Sequence, residues 1–496
     1  MQVQDYRLDA PFRAILSELA AVLSIQRVDA WATGGFLRDV LLGREVKDLD
    51  ITVVADPLEL GPGLADTFGG AYFPLDAERG RVRVLLPEHD MHLDLMPLAG
   101  SIEDDLGSRD FTIDAMAAPL NELASGSIRL VDPTGGLPDL GDRTVRQVSE
   151  KALLDDPLRL LRGVRLAVLL DFAIEPKTRE AIRRHSGLVN QVAMERQRDE
   201  LVQILRTTRA APGLRLMDDL DLLDHVLPEL ARARGVEQPK EHYWDVFNHC
   251  LAVVEALDMM LGDGEPEEEP AKSLWNELWG RLEWWQEGRT YFATEFVPNT
   301  LRCSLTKLAG LMHDIAKPQT KSVDDKGRIR FLGHSDVGAQ IASQVMQRLR
   351  FSARETALVS AMIDAHMRPV QMAQHQAPSR KAVYRFFRDT GEAGIDTLFL
   401  SLADHLGTVG PRVSLDGWRR HVAVIDYVLR LRFEERSVVK PPKLVDGDDL
   451  MTALGIPPGP RVGELLELVR EAQAAGEVST REDAIALARR EFASAG

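Results

Sequence analysis

Apolar residues follow two different spacings along the chain. Between residues 30 and 97 they fall in short runs separated by turn-forming residues, as in VDAWATGG, LDITVV, AYFPL, RVRVLL and MHLDLMPL. These runs predict β-strands, in which successive side chains point to opposite faces. Residues 12–24, and nearly every segment after about Asp139, instead place apolar residues at i, i+3 and i+4, which predicts helices. The pattern predicts an α+β fold: a small mixed β-sheet with helices at the N-terminus, then an all-α remainder.

Breaks in this pattern indicate where domains begin and end. Proline-rich or charged stretches lie near Gln238–Lys240, at the acidic run Gly262–Ala271, and at Val438–Gly447. We therefore expect four domains, covering residues 1–138, 139–237, 238–430 (with an acidic insert at about 262–296) and 431–496.

The composition excludes several classes of protein. The chain has 496 residues, of which 45% are hydrophobic and 28% charged, as expected for a globular protein. No apolar run approaches the length that spans a bilayer, and residues 1–16 lack the basic and apolar regions of an export signal. Cys250 and Cys303 are the only cysteines, which argues against a disulfide framework. We expect a cytoplasmic protein with no membrane contact.

The net charge of −17 disfavours nucleic-acid binding over the chain as a whole, because phosphate contacts need Lys and Arg. The charge is unevenly distributed, however. Residues 158–209 carry eleven Lys and Arg against six Asp and Glu, and much of the acidity lies elsewhere. A local basic surface for RNA therefore remains compatible with the sequence.

The first cluster of candidate catalytic residues surrounds a glycine turn. Asp48 and Asp50 lie two residues apart in a predicted strand, so their carboxylates project from the same face. Adjacent carboxylates repel each other unless a cation lies between them, and oxygen ligands suit Mg²⁺. Gly34 and Gly35 leave backbone N–H groups open at a strand-to-helix turn, where a triphosphate can approach. Asp94, on a later predicted strand, could complete a two-metal site.

The segment from Gly34 to Asp50 resembles the signature of the class II tRNA nucleotidyltransferase and poly(A) polymerase family. This family belongs to the DNA polymerase beta-like nucleotidyltransferases. The resemblance implies a polymerase-beta-like head, catalysis by Asp48, Asp50 and Asp94, and nucleotide contacts from Gly34, Gly35 and Arg38. It also implies a neck and body that select the base and bind RNA, then an HD domain and a helical tail.

Two further motifs of that family follow in order. Ser108-Arg109-Asp110-Phe-Thr-Ile-Asp114-Ala-Met resembles the R-R-D-x-x-x-N-A-M element, which contacts the nucleotide sugar. Positions 108 and 114 depart from it: a serine replaces the first arginine, and a carboxylate replaces the amide. Residues 155–162, DDPLRLLR, resemble the E-D-x-x-R element, which acts as a protein template for the incoming base. The resemblance gives this role to Asp156 and Arg159 and a nucleotide contact to Arg162; a surface ion pair is the default for such spacing alone.

The chemistry that the resemblance implies is attack of an RNA 3′-hydroxyl on the α-phosphate of CTP or ATP, with pyrophosphate leaving and Mg²⁺ as cofactor. The RNA would be the tRNA 3′ end. Full CCA-adding members commonly carry a longer loop before the R-R-D element, and the segment from Asp94 to Arg109 leaves little room for one. CC addition, with a separate A-adding enzyme as partner, and full CCA addition both stay open.

A second cluster of candidate ligands lies on predicted helices further along the chain. Imidazoles and carboxylates together suit divalent transition metals. The order of these residues, over about 238–412, resembles the HD phosphohydrolase superfamily. The resemblance assigns a first metal to His249, His313, Asp314 and Asp404, and the extra positions of a second metal to His334 and His366. It implies phosphohydrolase activity as an addition, with the metal identity and the substrate left open.

Other functions are compatible with parts of this pattern. A poly(A) polymerase would share the same head, but it usually carries a strongly basic C-terminal extension that is missing here. An HD phosphohydrolase with a non-catalytic, RNA-binding head would have no need for Asp48 and Asp50 as a pair. A nucleotide-sensing regulatory protein would need no site for an RNA 3′-hydroxyl.

Overall fold

The computed structural model describes residues 3–4, 10–46, 48–126, 128–283, 285–372 and 377–494. The chain divides into two compact units, Met1–Ala193 with Asp219–His225, and Met194–Asp218 with Val226–Gly496. Most of the first nine residues, which contribute to the expectation of no export signal, lie outside the described ranges. Among the described residues, no helix combines the length and the apolar character that a membrane crossing requires.

A mixed sheet organises the first unit. The strands of this unit are β1 (Val3–Gln4), β2 (Ala30–Thr33), β3 (Asp48–Val53), β4 (Tyr72–Asp76), β5 (Arg81–Leu86), β6 (Met91–Pro97), β7 (Ala117–Pro119), β8 (Ile128–Arg129), β9 (Thr144–Val145) and β10 (Ala173–Ile174). Strands β2 to β7 form one sheet in the order β4-β5-β6-β3-β2-β7. Strands β3 and β6 run parallel, whereas the other neighbours in this sheet run antiparallel. The predicted small mixed sheet at the N-terminus is confirmed.

Strand β3 shows why this sheet forms. Leu49, Ile51 and Val53 alternate along it and are fully buried, so the hydrophobic effect fixes one face of the strand against the core. The alternation leaves Asp48 and Asp50 on the opposite face, because the side-chain period of a strand is two.

Helices surround this sheet and continue beyond it in the first unit. They are α1 (Ala10–Ile25), α2 (Gly34–Leu41), α3 (Pro57–Thr67), α4 (Ile102–Gly107), α5 (Leu120–Ser125), α6 (Gly136–Gly141), α7 (Glu150–Asp155), α8 (Leu158–Leu170) and α9 (Pro176–His185). Helix α1 packs against α5 and buries Leu16, Leu19 and Leu23, which follow the predicted helical spacing. Helix α4 occupies the segment between Asp94 and Arg109, where the sequence left little room for a long loop.

Helices make up most of the second unit. They are α10 (Met194–Arg206), α11 (Ala210–Asp219), α12 (Leu223–Val226), α13 (Pro228–Ala231), α14 (Val246–Leu261), α15 (Ala271–Leu282), α16 (Trp285–Ala293), α17 (Arg302–Met312), α18 (Lys317–Thr320), α19 (His334–Arg348), α20 (Ala353–Ala365), α21 (Arg368–Met372), α22 (Arg380–Thr390), α23 (Gly394–Val409), α24 (Leu415–Phe433), α25 (Arg436–Val439), α26 (Gly447–Leu454), α27 (Pro460–Ala475) and α28 (Arg481–Ser494). The division between the units falls inside α11 and α12, because Asp219 of α11 and residues 223–225 of α12 belong to the first unit.

Short strands interrupt the helical remainder. They are β11 (Glu295–Val297), β12 (Thr300–Leu301), β13 (Lys321–Val323) and β14 (Ile329–Phe331), which pair as two hairpins. In the first unit, β9 and β10 form a further parallel pair. Each of these strands has only two or three residues, too few for an alternating pattern to register in the sequence.

Helix α17 forms the centre of the second unit. All of its residues are buried, including two cations. Arg302 pairs with the fully buried Asp396 at 2.8 Å, and Lys307 pairs with Asp258 at 2.7 Å. Buried charges of this kind are stable only when paired, so these contacts fix the neighbouring helices around α17.

Candidate active site and metal centre

Three carboxylates lie in register on one face of the mixed sheet. The parallel pairing of β3 with β6 sets Asp50 opposite Asp94, and Asp48 opposite His92. Leu49 and Ile51 are buried on the opposite face, so Asp48 and Asp50 share the face predicted from their spacing. The pairing of β3 with β6 could not be predicted from the sequence, and it is this pairing that adds Asp94 to the row.

The glycine turn lies directly against this row. Gly34 has φ of +66°, a left-handed conformation that favours glycine, and it begins α2. A Cβ atom at Gly34 would lie 3.2 Å from Asp50 Oδ2 and 3.3 Å from Arg109 Nη1. The backbone N–H of Phe36 donates to Asp50 Oδ2 at 3.2 Å. The turn therefore holds the N-terminus of a helix against a catalytic candidate, with space that only glycine leaves open.

Asp50 is a buried carboxylate whose surroundings disfavour its charged form. Burial raises its pKa to about 6, and the nearby Asp94 and Asp114 add to the shift, although the hydrogen bond from Phe36 and the charge of Arg109 oppose it. A cation bound between Asp50 and its neighbours would restore the ionised form. The row therefore fits a divalent cation.

Two side chains that the sequence analysis missed contact the same row. Arg83 on β5 donates from Nε and Nη2 to the two oxygens of Asp94, at 2.6 and 2.7 Å. Its Nη2 also lies 3.6 Å from Asp48 Oδ1, and His92 Nδ1 lies 3.1 Å from the same oxygen. Their strand positions were visible in the sequence, but the registers that bring them to the carboxylates were not.

A basic cavity of about 600 Å³ opens beside Asp50. It also contains the glycine turn, Gly34 and Gly35, and it is lined by more cations than anions. The cations are Arg38, Arg79, Arg81, Arg109, Arg159, Arg162 and Arg165, and the anions are Asp50, Asp105, Asp110 and Asp114. Guanidinium groups are planar donors that match phosphate oxygens, so the cavity suits a polyphosphate. Arg79, Arg81 and Arg165 were not predicted, because arginines without a motif carry no site signal in a single sequence.

The departure at position 114 has a structural explanation. Asp114 Oδ1 accepts from Arg38 Nη1 at 2.7 Å, and Arg38 also pairs with Asp39 at 2.8 Å. Burial opposes the charge of Arg38, but Asp114 and Asp39 outweigh it and raise the arginine's pKa. Burial likewise raises the pKa of Asp114, and the charge of Arg38 limits that shift. Here a carboxylate compensates a buried guanidinium, which an amide could not do.

Arg109 and Asp110 connect the sheet to the helices that follow. Arg109 Nη2 donates to Asp105 Oδ2 at 2.8 Å and to Thr52 Oγ1 at 3.3 Å. Asp110 is buried and pairs with Arg162 Nη1 at 2.8 Å. Burial raises the pKa of Asp110, but the charge of Arg162 outweighs it and the net shift is downward. Both motif residues are thus fixed at the wall of the cavity, as is Arg162 on α8.

Asp156 and Arg159 lie differently with respect to this cavity. Arg159 lines the cavity, and its Nη1 donates to the carbonyls of Ser108 and Ala152, each at 3.1 Å. Asp156 lies outside the lining, between α7 and α8, where its Oδ1 accepts from the N–H of Leu158 at 3.2 Å. The structure brings Arg159 to the head cavity but places Asp156 at a helix start.

The second unit holds the six histidines and aspartates of the other predicted centre. They come from five places along the chain: α14, the end of α17, the start of α19, the end of α20, and α23. His249 Nε2 lies 3.1 Å from His313 Nε2, 3.2 Å from Asp314 Oδ2 and 3.1 Å from Asp404 Oδ1. The ligand atoms of His249, His313 and Asp314 all lie within 4.8 Å of one another. This grouping has the donor set and spacing of a buried divalent-metal site.

A second grouping shares Asp314. His334 Nε2 lies 3.4 Å from His366 Nε2 and 3.5 Å from Asp314 Oδ1. The two oxygens of Asp314 thus face different sets of imidazoles. The structure places all six predicted residues together, in two adjoining groups.

Backbone carbonyls orient the imidazoles toward the centre. Nδ1 of His313 lies 2.8 Å from the carbonyl of Gly310, and Nδ1 of His366 lies 2.6 Å from that of Ile363. His334 makes the equivalent contact, at 2.7 Å, with the carbonyl of Phe331. Since a carbonyl only accepts, each Nδ1 carries a hydrogen, and Nε2 is the ring nitrogen that faces the centre.

The surroundings of this centre form a cavity of about 610 Å³. Lys317 lines it, but its Nζ is held 2.6 Å from Asp314 Oδ2 and 2.7 Å from Gln238 Oε1. Three histidines that were not predicted also line it: His242, His405 and His421. Burial lowers the pKa of His242 to about 4, so its ring is neutral at neutral pH. These three histidines lie outside the ordered set of predicted ligands, and a single histidine in a sequence does not indicate a site.

The fold and the two centres define a nucleotidyltransferase head joined to an HD domain, and comparison with known proteins agrees. The Poly A polymerase head domain model matches residues 30–98 and 85–146, and the HD domain model matches 246–408. The model for the probable RNA- and SrmB-binding site of polymerase A matches 171–234, and that for tRNA nucleotidyltransferase domain 2 matches 422–488.

The chain is 37% identical, over 92% of its length and 94% of the relative, to an A-adding tRNA nucleotidyltransferase of Deinococcus radiodurans. It is 35% identical, over 92% of both chains, to a CC-adding tRNA nucleotidyltransferase of Thermus thermophilus. The chain belongs to the tRNA nucleotidyltransferase family, which confirms the resemblance described from the motifs. A solved structure of a CCA-adding enzyme in an apo form has the same fold, with a TM-score of 0.62 over 100% of this chain and 98% of that one at 19% identity.

Proposed function

We propose that this protein extends the 3′ end of tRNA from CTP, ATP or both, with release of pyrophosphate. The observation that carries this proposal is the row of Asp48, Asp50 and Asp94 on one sheet face beside a cavity rich in arginine. Carboxylates alone would repel a nucleotide, whereas carboxylates with a bound cation and adjacent guanidinium groups attract its phosphates.

We propose Mg²⁺ as the cation at the head, because the row offers only carboxylate oxygens. When bound there, the metal lowers the pKa of the RNA 3′-hydroxyl and stabilises charge on the α-phosphate. The protein's own groups do the remaining work. Gly34 and Gly35 let the phosphates approach the backbone. Arg38, Arg109 and Arg162 line the cavity, where their positive charge favours the phosphates.

The selection of the base is proposed to rest on Arg159 together with a carboxylate. Asp156 is the carboxylate that the motif assigns, and it lies at the start of α8, three residues before Arg159, where its Oδ1 accepts from the N–H of Leu158. Asp110 already lies in the cavity wall, paired with Arg162. A carboxylate with an arginine can pair with the exocyclic amine and ring acceptor that C and A share.

The domain division that we propose assigns the head to 1–138 and the base-selecting, RNA-binding neck and body to 139–237. The HD domain occupies 238–430, and the tail occupies 431–496. The HD match at residues 246–408 lies within the proposed HD domain, and the tail has a separate apolar core that includes Leu450, Leu465 and Val469. We propose a cytoplasmic location, where tRNA and nucleotides are available.

We further propose that the HD centre binds one or two divalent transition metals and hydrolyses a phosphate ester. Nitrogen and oxygen donors converge there with their Nδ1 atoms already hydrogen-bonded, as in a preformed metal site. The test measures the zinc, manganese, iron, nickel and cobalt bound to the purified protein. It also measures hydrolysis of cyclic 2′,3′-nucleotides and phosphate monoesters by the same protein. A centre that retains no transition metal after purification and reloading would contradict this proposal.

The transferase proposal is tested with tRNA transcripts that end at the discriminator base, at C or at CC, each supplied with labelled CTP and ATP. The relatives include both A-adding and CC-adding enzymes, so sequence identity does not choose between them. Addition of C alone defines a CC-adding enzyme that needs a separate A-adding partner, and addition through A defines full CCA synthesis. Addition of A only to transcripts ending in CC defines an A-adding enzyme.

Two other results would identify a different function. Long A-tails would favour poly(A) polymerase, which shares the head. Absence of incorporation on every transcript, combined with phosphohydrolase activity, would leave an HD hydrolase with a non-catalytic head.

A further inference from the structure

An arginine occupies the carboxylate row at the point where a cation would be expected. Strand β5 pairs antiparallel with β6, and this register sets Arg83 opposite Asp94. Since Asp94 lies opposite Asp50 on β3, the three side chains form one line across three strands. Arg83 alternates with the buried Val82 and Val84, so it faces the same side of the sheet as the carboxylates.

The contact is a short, bidentate ion pair. Arg83 donates two parallel hydrogen bonds to Asp94, at 2.6 and 2.7 Å, and one of the same nitrogens lies 3.6 Å from Asp48. Bidentate arginine–carboxylate pairs are geometrically specific. Arg83 thus donates to both oxygens of Asp94 and is also attracted by the charge of Asp48.

We propose that Arg83 is a built-in counter-ion of the head, which competes with the divalent cation for Asp94. It is a positioning residue: it keeps three adjacent carboxylates stable while no metal is bound, and it weakens metal binding until the phosphates of a nucleotide add their own oxygens. This inference rests on the proposed transferase function of the head.

Electrostatics give the direction and size of the effect. A divalent ion and the guanidinium repel each other at separations of roughly 5 Å, and removal of that repulsion strengthens metal binding on the order of tenfold even in a water-like medium. Freeing the oxygens of Asp94 acts in the same direction. Arg83→Gln is therefore expected to bind Mn²⁺, a spectroscopic substitute for Mg²⁺, about tenfold more tightly in the absence of nucleotide.

Arg81→Gln is the matched control. Arg81 lies two residues earlier on the same strand face and does not contact Asp94. Because Arg81 also lines the cavity that suits a polyphosphate, this control applies only to Mn²⁺ binding without nucleotide. The control removes the same charge from the same strand while leaving the Asp94 contact intact. Arg83→Lys keeps the charge but loses the paired hydrogen bonds, so its Mn²⁺ affinity should fall between those of the wild type and Arg83→Gln.

Mn²⁺ binding to the full-length protein is measured by electron paramagnetic resonance, after the HD centre has been saturated with its tightly held metal. Without nucleotide, the proposal expects tighter Mn²⁺ binding for Arg83→Gln and little change for Arg81→Gln. With a non-reactive CTP analogue present, it expects a smaller difference between Arg83→Gln and the wild type. Unchanged or weaker binding in Arg83→Gln, with circular dichroism matching the wild type, would overturn it. An equal gain in Mn²⁺ affinity for Arg81→Gln would overturn it as well, because the effect would then come from the loss of any positive charge near the row.

Failure of this inference differs from failure of the transferase proposal. If the wild type extends tRNA and Asp48→Asn loses the Mn²⁺ signal, the head is a metal-dependent transferase whatever Arg83 does. If no transcript is extended by any variant, the transferase proposal fails first.

Discussion

The two candidate cation sites of this molecule differ in their exposure to solvent and in the types of their ligands. At the head, Asp48 exposes 56% of its side chain, and the row offers carboxylates alone. At the HD centre, His249 and His313 expose 0% of their side chains and Asp314 exposes 1%. An open oxygen row suits a metal that arrives with its substrate, whereas a closed nitrogen and oxygen cage suits a resident metal.

The comparison extends to how each centre is stabilised without metal. The head uses a side chain, Arg83, as the nearby cation. The HD centre relies on Lys317 against Asp314, and on hydrogen bonds from imidazole Nδ1 atoms to carbonyls that hold the rings in place. The carboxylate row of the head is therefore open to solvent, whereas the imidazoles of the HD centre are held in place before any ligand arrives.

The largest expected effect separates the two centres. Asp48→Ala should lower nucleotide incorporation by at least about 10³-fold, the scale of losing a principal electrostatic stabiliser. Hydrolysis at the HD centre should stay unchanged, because the ligands of that centre belong to the second unit and Asp48 belongs to the first. Both activities are measured on one preparation of the variant. Equal loss of both would show that the two centres do not act separately.

The reciprocal variant tests the buried centre. Asp314→Asn removes the carboxylate that both groups of imidazoles share, so transition-metal affinity should fall by about 100-fold or more, at least the loss seen for outer-shell partners. Metal content after dialysis, measured by atomic emission, reports the change. Nucleotide incorporation by the same protein should stay within about twofold of the wild type. Retention of the full metal content would contradict the assigned ligand set.

A buried ion pair at the head should matter for stability. Asp114→Asn restores the residue of the family pattern but leaves the buried Arg38 with Asp39 alone, so it should destabilise the protein by about 1–3 kcal/mol. Thermal unfolding of the variant, followed by circular dichroism, measures the loss. Asp39→Asn is the control, because Asp39 exposes 24% of its side chain against 14% for Asp114, and the expected loss there is below about 1 kcal/mol. If both variants lose the same stability, the contribution of Asp114 to stability does not depend on its burial.

The smallest effect concerns acid sensitivity of the HD region. His421 stacks on His405 with ring centroids 4.7 Å apart, and burial lowers its pKa to about 4. The unfolded chain binds this proton more readily, near pH 6.5, so the neutral ring stabilises the fold above that pH and the contribution is lost as pH falls toward 4. Between pH 7 and pH 5 the loss should be on the order of 1–2 kcal/mol.

His421→Gln can still donate to the carbonyl of Ser401, which His421 Nε2 contacts at 3.2 Å, but it does not titrate. Its unfolding temperature should therefore fall less than that of the wild type between pH 7 and pH 5. Parallel pH curves for the two proteins would rule out His421 as the source.

The head shows how far a single sequence can lead. The alternation of β3 placed Asp48 and Asp50 on one face, and the structure agrees, because a buried apolar face admits only one register of side chains. The pairing of β3 with β6 was beyond the sequence, since strand order depends on contacts between distant residues. Asp94 could therefore be named as a third carboxylate but not placed, and Arg83 was missed.

The HD centre shows the same division. The ordered set of histidines and aspartates was visible because the residue types themselves carry the chemistry. His242 and His421 were missed, since nothing in their local sequence distinguishes a cavity wall from an ordinary surface. Asp156 was assigned from its motif alone, and its place at the start of a helix was not predicted.

The sequence by itself determined the class of each segment, the carboxylate spacing of the head and the ligand types of the HD centre. These are properties of the local period of the chain and of side-chain chemistry. Only the tertiary structure decided which strands are neighbours, which arginines face the cavity and which carboxylate compensates Arg38. Those contacts join residues far apart in the chain, and the burial that fixes them exists only once the whole core has packed.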